Sequence, residues 1–253
     1  MKFKLEDIKK ETKNEVSIIE ENALKLNEYT SEELSNIDVT TSLGNRNTEF
    51  VFFIDSSTSM SGTELQMEKY FLDMIDKYKD REDILVTVVT FASDSRKLYY
   101  RVPIKEIDKI KYLANGGTKL FDTVVNNISS ILNDQMLSNI VSSKTIVTIL
   151  TDGEDNESSK YTEDKMKSII EYTKSLGWEY ILLSRYSFIS ADYGIEHIGV
   201  FDDYNKINKC FNSIDKAIAS YIDKGKIDDN WNEELVDNKR LSITKKWWWY
   251  EWL

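Results

Sequence analysis

From residue 48 onward, two patterns of apolar residues alternate along this chain. Short runs made almost wholly of apolar residues are typical of buried β-strands. Such runs occur at EFVFFI (49–54), ILVTVVTF (84–91), TIVTIL (145–150) and YILLS (180–184), with a weaker one at IGVF (198–201). Among them, apolar residues spaced three and four apart predict amphipathic helices over 62–79, 120–132, 166–176 and 207–221.

This alternation predicts an α/β domain. Strands that are apolar on both faces and alternate with amphipathic helices indicate a mainly parallel central sheet with helices on both faces. One further strand, RKLYYRV (96–102), follows the second strand after only the short break SDS. A connection this short joins antiparallel strands, so we expect one antiparallel edge strand. In such sheets ligands bind at the carboxyl ends of the strands.

The regions on either side of this domain, which we predict over 48–223, differ from it in composition. Residues 1–47 are polar, with apolar positions spaced as one helical face, and predict an N-terminal helical segment. Residues 224–253 form a charged tail that ends in KKWWWYEWL. Its tryptophans are Trp247, Trp248, Trp249 and Trp252. Three roles stay open for them: packing onto the domain, docking into a partner, or contact with a membrane interface. The net negative charge disfavours the membrane.

The amino-acid composition of the chain argues against several classes of function. The 253 residues carry a formal net charge of −11, which does not suit a nucleic-acid partner because phosphates require concentrated Lys and Arg. With one cysteine, Cys210, and one histidine, His197, the chain has no internal disulfide, and Cys/His zinc sites and His-based triads are nearly excluded. We expect both side chains to be structural. The start lacks a secretory signal and no run reaches the ~20 apolar residues of a membrane-spanning helix, which predicts a cytoplasmic protein.

Three polar loops are predicted at the carboxyl edge of the sheet. They are Asp55 to Ser59, Thr151-Asp152-Gly153, and Asn115-Gly116-Gly117-Thr118. Together they offer carboxylates and hydroxyls without imidazole or thiolate, a set of oxygens that suits Mg²⁺ or Mn²⁺. Two simpler interpretations stay open. The first loop has the residue types of a strand-to-helix turn with helix caps, and the glycine pair is typical of a turn or a phosphate-binding nest.

The same residues resemble a known family. DSSTS (55–59) matches the D-x-S-x-S motif of the metal-ion-dependent adhesion site in von Willebrand factor A domains. Thr118, in GGTKLFD, and Asp152, in ILTDGEDN, match the two separate parts of that site in the right order. The resemblance covers roughly residues 48–222. The sequence motifs GGTxLxD and TDGE are most similar to those of the intracellular bacterial and phage branch of the family. It implies a Rossmann-like α/β fold.

The resemblance also implies roles for single residues. Ser57 and Ser59 would ligate the metal directly, as would Thr118 when a ligand is bound. Asp55 and Asp152 would hold the metal through water and by charge. For Asp122 two interpretations remain: a hydrogen-bond acceptor that buttresses the Thr118 loop, or a solvent-facing residue in the first turn of a helix.

The function implied is Mg²⁺-dependent binding of a partner protein. The metal, or Mn²⁺ in its place, would accept an Asp or Glu of the partner, in a bacterial or phage multi-protein system. We expect no catalysis, because the sequence offers no nucleophile paired with a base. Two alternatives remain, a structural assembly component that binds through its termini and a Mg²⁺-assisted hydrolase. A haloacid-dehalogenase-type phosphatase would need D-x-D, and here Ser57 stands at the second aspartate.

Overall fold

A computed structural model describes residues 47–137, 142–185, 193–201 and 203–235. The predicted N-terminal helices and the tryptophan cluster lie outside this part. The strands are β1 (Asn47–Asp55), β2 (Ile84–Phe91), β3 (Ser95–Pro103), β4 (Ser142–Thr151), β5 (Trp178–Ser184) and β6 (His197–Val200). The helices are α1 (Glu64–Asp76), α2 (Leu120–Leu137), α3 (Glu163–Ser175) and α4 (Ile207–Lys224).

The described strands form one sheet in the order β3-β2-β1-β4-β5-β6. Neighbouring strands are parallel except for β3, which runs antiparallel to β2 at the edge of the sheet. The predicted fold class, a mainly parallel sheet with one antiparallel edge strand and helices on both faces, is confirmed. The apolar runs predicted the strands because both faces of the sheet are covered, which leaves no position for alternating polar residues.

Two hydrophobic cores lie on opposite faces of the sheet. In β1, Phe50, Phe52 and Ile54 face the core that α1 and α4 cover. Val51 and Phe53 face the core that α2 and α3 cover. Such alternate burial places consecutive residues of one strand in different cores.

The first core extends beyond the last helix. Gly225, with φ of 73°, ends α4 in the left-handed conformation, and Ile227, Trp231 and Leu235 then pack back onto the sheet. A Cβ at Gly199 of β6 would lie 2.9 Å from Leu235 Cδ1, so a larger residue would push this packing apart. The described core thus includes part of the segment predicted as a charged tail.

The two residues that we expected to be structural occupy structural positions. Cys210 is fully buried in the first core. His197 begins the edge strand β6, opposite Ile181 of β5, with its Nε2 atom 3.5 Å from Glu179 Oε2. In the described part of the chain, no helix has the length and apolar character needed to cross a bilayer.

A buried ion pair lies near the amino end of β1. Arg101 Nε donates to Glu49 Oε1 at 2.8 Å, and Gln135 Nε2 donates to Glu49 Oε2 at 2.6 Å. The Glu49 side chain is fully buried and that of Arg101 is 10% exposed. Arg101 has φ of 49°, next to an irregularity in the β2–β3 register.

Candidate metal centre

Asp55 lies at the carboxyl end of β1 and is fully buried. Its Oδ1 atom accepts the backbone N–H of Ser57 at 2.8 Å, and its Oδ2 atom accepts the hydroxyl of Thr151 at 2.6 Å. The phenol of Tyr112 donates to the Asp55 backbone carbonyl at 2.5 Å. The two carboxylate oxygens are therefore held by the loop that follows β1 and by β4, while Tyr112, from the loop before α2, holds the backbone of Asp55.

A chain of hydrogen bonds connects the predicted ligands. Ser57 Oγ lies 3.0 Å from Ser59 Oγ, and Ser59 Oγ donates to Asp152 Oδ1 at 2.8 Å. Ser57 occupies the N-cap position of a short 3-10 turn, Thr58–Met60, yet its side chain caps no backbone N–H. The hydroxyl at the N-cap of α1 likewise makes no cap bond. Capping therefore does not explain Ser57, and both Ser57 and Ser59 face the Asp152 side of the loop.

Thr118 lies in a neighbouring loop that is bound tightly to the first. Gly116 N–H donates to Thr58 Oγ1 at 2.8 Å, and Thr58 N–H donates to the Gly116 carbonyl at 2.9 Å. Thr118 is 3% exposed, and its hydroxyl makes no hydrogen bond within the part of the chain that the structure describes. The structure thus brings Asp55, Ser57, Ser59 and Asp152 into one network, with the Thr118 loop fastened beside them.

The glycine pair is a turn rather than a phosphate-binding nest. Gly116 has φ of 89°, and a Cβ there would lie 2.5 Å from Ser93 Oγ. The Gly117 N–H donates to Ser93 Oγ at 2.8 Å, and the Thr118 N–H donates to Asn156 Oδ1 at 2.8 Å. With the Gly116 N–H also bonded, the backbone donors that a phosphate would need are already used.

Side chains of the loop between β4 and α3 cap the first turn of helix α2. Asp155 Oδ2 accepts the Phe121 N–H at 2.9 Å, and Ser158 Oγ accepts the Asp122 N–H at 2.9 Å. The Asp122 carboxylate in turn accepts backbone N–H groups of 159–161 at 2.8–3.3 Å. Asp122 therefore anchors the loop that follows Asp152, and through that loop it braces both Asp152 and Thr118.

Two tyrosines at the site have no counterpart in the sequence analysis. Besides Tyr112, Tyr204 donates its phenol to Asp152 Oδ2. Arg185 Nη1 donates to the Tyr204 oxygen at 2.9 Å, and the guanidinium carbon lies 4.7 Å from the centre of the Tyr204 ring. Tyr204 follows the carboxyl end of β6, so the carboxyl-end rule that found the other loops extends to it. Tyr112 follows no strand end, and no local signal marks it.

Burial shifts the pKa values of Asp55 and Tyr204. Loss of hydration raises the pKa of Asp55 from an ordinary 3.8 to about 6. Hydrogen bonds from Thr151 and Ser57 oppose this rise in pKa, and the charge of Asp152 adds to it. Burial, together with the bond to Asp152, raises the pKa of Tyr204 to about 12, so its phenol stays a donor at neutral pH. A divalent cation beside the two carboxylates would favour the ionised form of Asp55.

The oxygen donors fit a small divalent cation. Adjacent ligands of an octahedral Mg²⁺ at about 2.1 Å are about 3 Å apart. The Ser57–Ser59 and Ser59–Asp152 oxygen pairs, at 3.0 and 2.8 Å, have this spacing. In the described residues no three or more His, Cys, Asp and Glu side chains are grouped to hold a metal. A site here would depend on hydroxyls, with two carboxylates supplying the charge.

Comparisons with known proteins show similarity of fold. No family model and no curated protein match the chain. Among solved structures, the PilB minor pilin from Streptococcus sanguinis is 14% identical, with 70% of this chain and 62% of the pilin chain covered and a TM-score of 0.51. A mutant of that pilin is 13% identical, with 72% and 64% covered and a TM-score of 0.50. The von Willebrand factor domain of a type V pili tip protein from Porphyromonas gingivalis is 10% identical, with 73% and 99% covered and a TM-score of 0.48.

This chain spans less than two thirds of the length of either pilin chain. At such low identity the likeness concerns the fold alone. The parallel sheet with the antiparallel edge strand β3 is the arrangement that the resemblance to von Willebrand factor A domains predicts. The chain therefore has a mainly parallel α/β fold with one antiparallel edge strand.

Proposed function

We propose that this chain is a metal-dependent protein-interaction module. Ser57, Ser59 and Thr118 would hold Mg²⁺, or Mn²⁺ in its place, with Asp55 and Asp152 acting through water and by charge. A bound cation of this kind supplies an electrophilic centre that accepts a carboxylate oxygen. The partner would be a protein that presents an Asp or Glu to it.

One observation carries this proposal. The hydroxyls of Ser57, which is buried, and Ser59, which is exposed, lie 3.0 Å apart, cap no helix, and connect to Asp152 at the carboxyl edge of the sheet. Serines placed there for turn formation alone would bond to nearby backbone groups, as Ser61 does by donating to the Thr58 carbonyl at 2.7 Å. The contrast between Ser61 and the two serines before it supports a ligand role.

The hydroxyls matter because they are neutral. A cage of carboxylates would satisfy the charge of the cation, whereas neutral oxygens leave it able to attract an external anion. Asp55 is held by Thr151 and the Ser57 N–H, so it would orient bound water and supply negative charge beneath the metal. Tyr204 occupies one oxygen of Asp152, which leaves the other directed at Ser59.

We propose binding rather than catalysis as the role of this site. His197 lies on the edge strand β6, three strands away from β1 and level with Phe52, so it is too far from Asp55 to act as a base on a group held at the site. The phenol of Tyr112 donates to a backbone carbonyl, and burial raises its pKa well above the usual value. Tyr112 therefore serves to hold the loop. A hydrolase would need a base near the metal that is free to accept a proton.

Water-proton relaxation with Mn²⁺ tests this function on the full chain. We expect saturable enhancement on Mn²⁺ binding, lost in the double variant with Ser57→Ala and Ser59→Ala and retained in the control Ser61→Ala. An Asp-containing peptide should then lower the enhancement by displacing metal-bound water, while the matching Asn peptide should not. Equal enhancement in all three proteins, or equal effects of the two peptides, would contradict the proposal.

The same assay separates the module from an assembly component that binds through its termini. A chain truncated after Leu235 keeps the described core, which includes Ile227 and Trp231. If the metal site binds the partner carboxylate, the truncated chain should respond to the Asp peptide as the full chain does. Phosphoester turnover that depends on Asp55 would instead favour the hydrolase.

A further inference from the structure

Basic residues concentrate on one side of the candidate metal centre. The segment 95–119, which contains β3 and the loop that leads to Thr118, has seven Lys or Arg residues and two Asp or Glu residues, a net charge of +5. The whole chain has a net charge of −11. Four exposed cations of this segment form what we call the basic rim: Arg96, Lys97, Lys109 and Lys111. Lys105 is not part of it, because β3 ends opposite Leu85 at the amino edge of the sheet.

Strand register places the first part of the basic rim beside Asp55. Asp55 is opposite Phe91 in β2, and Phe91 is opposite Ser95 in β3. Strands lie about 4.8 Å apart, so the backbone at Ser95 is about 10 Å from Asp55 along one row of the sheet. Arg96 and Lys97 follow directly on the exposed edge strand.

Tyrosine contacts place the second part. The phenol of Tyr99 donates to the Lys109 carbonyl at 2.7 Å, which fixes the following segment against β3. Lys111 directly precedes Tyr112, whose phenol reaches the Asp55 carbonyl. The 109–112 segment thus runs from the edge strand to the metal centre with its lysines exposed.

Protection of the sheet edge explains only part of this charge. Lys and Arg on an edge strand discourage pairing with other chains, which accounts for Arg96 and Lys97. Lys109 and Lys111 lie off the strand. Within the described residues these two form no ion pair, whereas Lys77 and Lys174 pair with carboxylates elsewhere on the surface.

The other side of the centre is acidic. Glu154 and Glu157 are exposed in the loop that follows Asp152. An acidic partner that reaches the metal would be attracted by the cations on the β3 side and repelled by the carboxylates of this loop. Leu113, whose side chain is 57% exposed, adds an apolar contact within the basic side.

From this asymmetry we infer that the basic rim is the docking surface for an acidic segment of the partner protein. The segment lies over 96–111, with one carboxylate at the metal and its further carboxylates on the exposed lysines. Its direction is set by repulsion from Glu154 and Glu157. This inference rests on the proposed function, since the metal supplies the point at which the segment is anchored. An acidic protein segment suits the rim better than a nucleic acid, because a nucleic acid carries a charge at every phosphate and needs a more concentrated basic surface than these few cations supply.

Fluorescence anisotropy on the full chain tests the inference. The probes are a labelled short peptide rich in Asp and Glu, its counterpart with Asn and Gln, and a single-stranded oligonucleotide of similar length. The variant carries Lys109→Glu and Lys111→Glu. The control carries Lys79→Glu and Lys226→Glu, which makes the same change in charge. Lys79 and Lys226 follow the ends of α1 and α4, at the opposite edge of the sheet.

We expect the rim variant to bind the acidic peptide about tenfold more weakly at low salt, and the control variant to bind nearly as the wild type does. Equal weakening in both variants would overturn the inference, since it would reflect net charge alone. Stronger binding of the oligonucleotide than of the acidic peptide would also overturn it. Peptide binding that needs Lys109 and Lys111 but is unchanged by EDTA would refute the metal-dependent function and retain the basic rim.

Discussion

Replacing Asp55 by Asn removes a buried charge while keeping its hydrogen bonds. The Asn oxygen can accept the Ser57 N–H, and its amide can donate to the Thr151 hydroxyl, which can turn toward the Gly153 carbonyl 3.0 Å away. The pKa of Asp55 rises from 3.8 to about 6 in the folded protein, and two units correspond to about 3 kcal/mol. Ionised Asp55 therefore lowers the free energy of unfolding of the metal-free protein.

The sign of the pH dependence follows from the raised pKa. Between pH 4 and pH 6 the folded protein keeps a proton on Asp55 that the unfolded chain has begun to release. The contribution of this group to the free energy of unfolding therefore falls as pH rises through that window and stays low above it. Without metal, Asp55→Asn should be more stable than the wild type above pH 6, by up to about 3 kcal/mol, with the difference shrinking toward pH 4.

Urea unfolding in EDTA from pH 4 to pH 8 measures this difference. Low protein concentration is needed because the pI is about 4.8, where association is favoured. Subtracting the variant from the wild type removes the pH dependence of all other groups. The exposed Asp229, replaced by Asn, is the matched control and should leave the pH profile unchanged. A difference for Asp55→Asn that does not vary with pH, or that grows on acidification, would refute the argument.

Three further substitutions have expected outcomes in urea unfolding or metal titration. Gly116→Ala should destabilise the protein by about 1–2 kcal/mol and weaken metal binding, because its φ of 89° disfavours a side chain and its loop carries Thr118, a proposed metal ligand; unchanged metal affinity would contradict this. Tyr204→Phe should lower the free energy of unfolding by about 1.5 kcal/mol, because the hydrogen bond to Asp152 is lost. Tyr172→Phe is the control and should lower it little, because the Tyr172 phenol makes no hydrogen bond to the described residues. Arg101→Ala should cost about 3–5 kcal/mol by leaving Glu49 buried without its cation, whereas Arg81→Ala, in an exposed pair, should cost under about 1 kcal/mol. Equal losses in the two tyrosine variants would show that the bond to Asp152 is not the cause, and equal losses in the two arginine variants would show that burial of the ion pair is not the cause.

The strands of the sheet were predictable because the pattern that marks each one lies within the strand itself. Strands buried on both faces are apolar at every position, so EFVFFI and ILVTVVTF mark β1 and β2 without knowledge of their neighbours. The short SDS break sufficed to predict that β3 is antiparallel. The carboxyl-end rule then grouped Asp55, Ser57 and Asp152 on one edge.

The rest of the site depends on contacts between residues distant in sequence. Tyr112 bonds to Asp55, 57 positions away, and Tyr204 bonds to Asp152, 52 positions away. No local sequence pattern predicts either of these pairings. The first turn of α2 is capped by Asp155 and Ser158, which belong to the loop between β4 and α3 and lie more than 30 positions further along the chain. The φ of Arg101 arises from a register irregularity that depends on two strands together.

The central claim is that Ser57, Ser59, Thr118, Asp55 and Asp152 hold a divalent cation. Its most direct test is a Mg²⁺ and Mn²⁺ titration of thermal stability on the wild type, Asp55→Ala, Thr118→Ala and the control Ser61→Ala. At a metal concentration about a hundredfold above Kd, binding contributes about 2.7 kcal/mol, a rise in Tm of about 5–10 °C. We predict this saturable rise in the wild type and in Ser61→Ala, and its loss in Asp55→Ala and Thr118→Ala. A wild type that does not respond, or variants that respond as the wild type does, would contradict the claim.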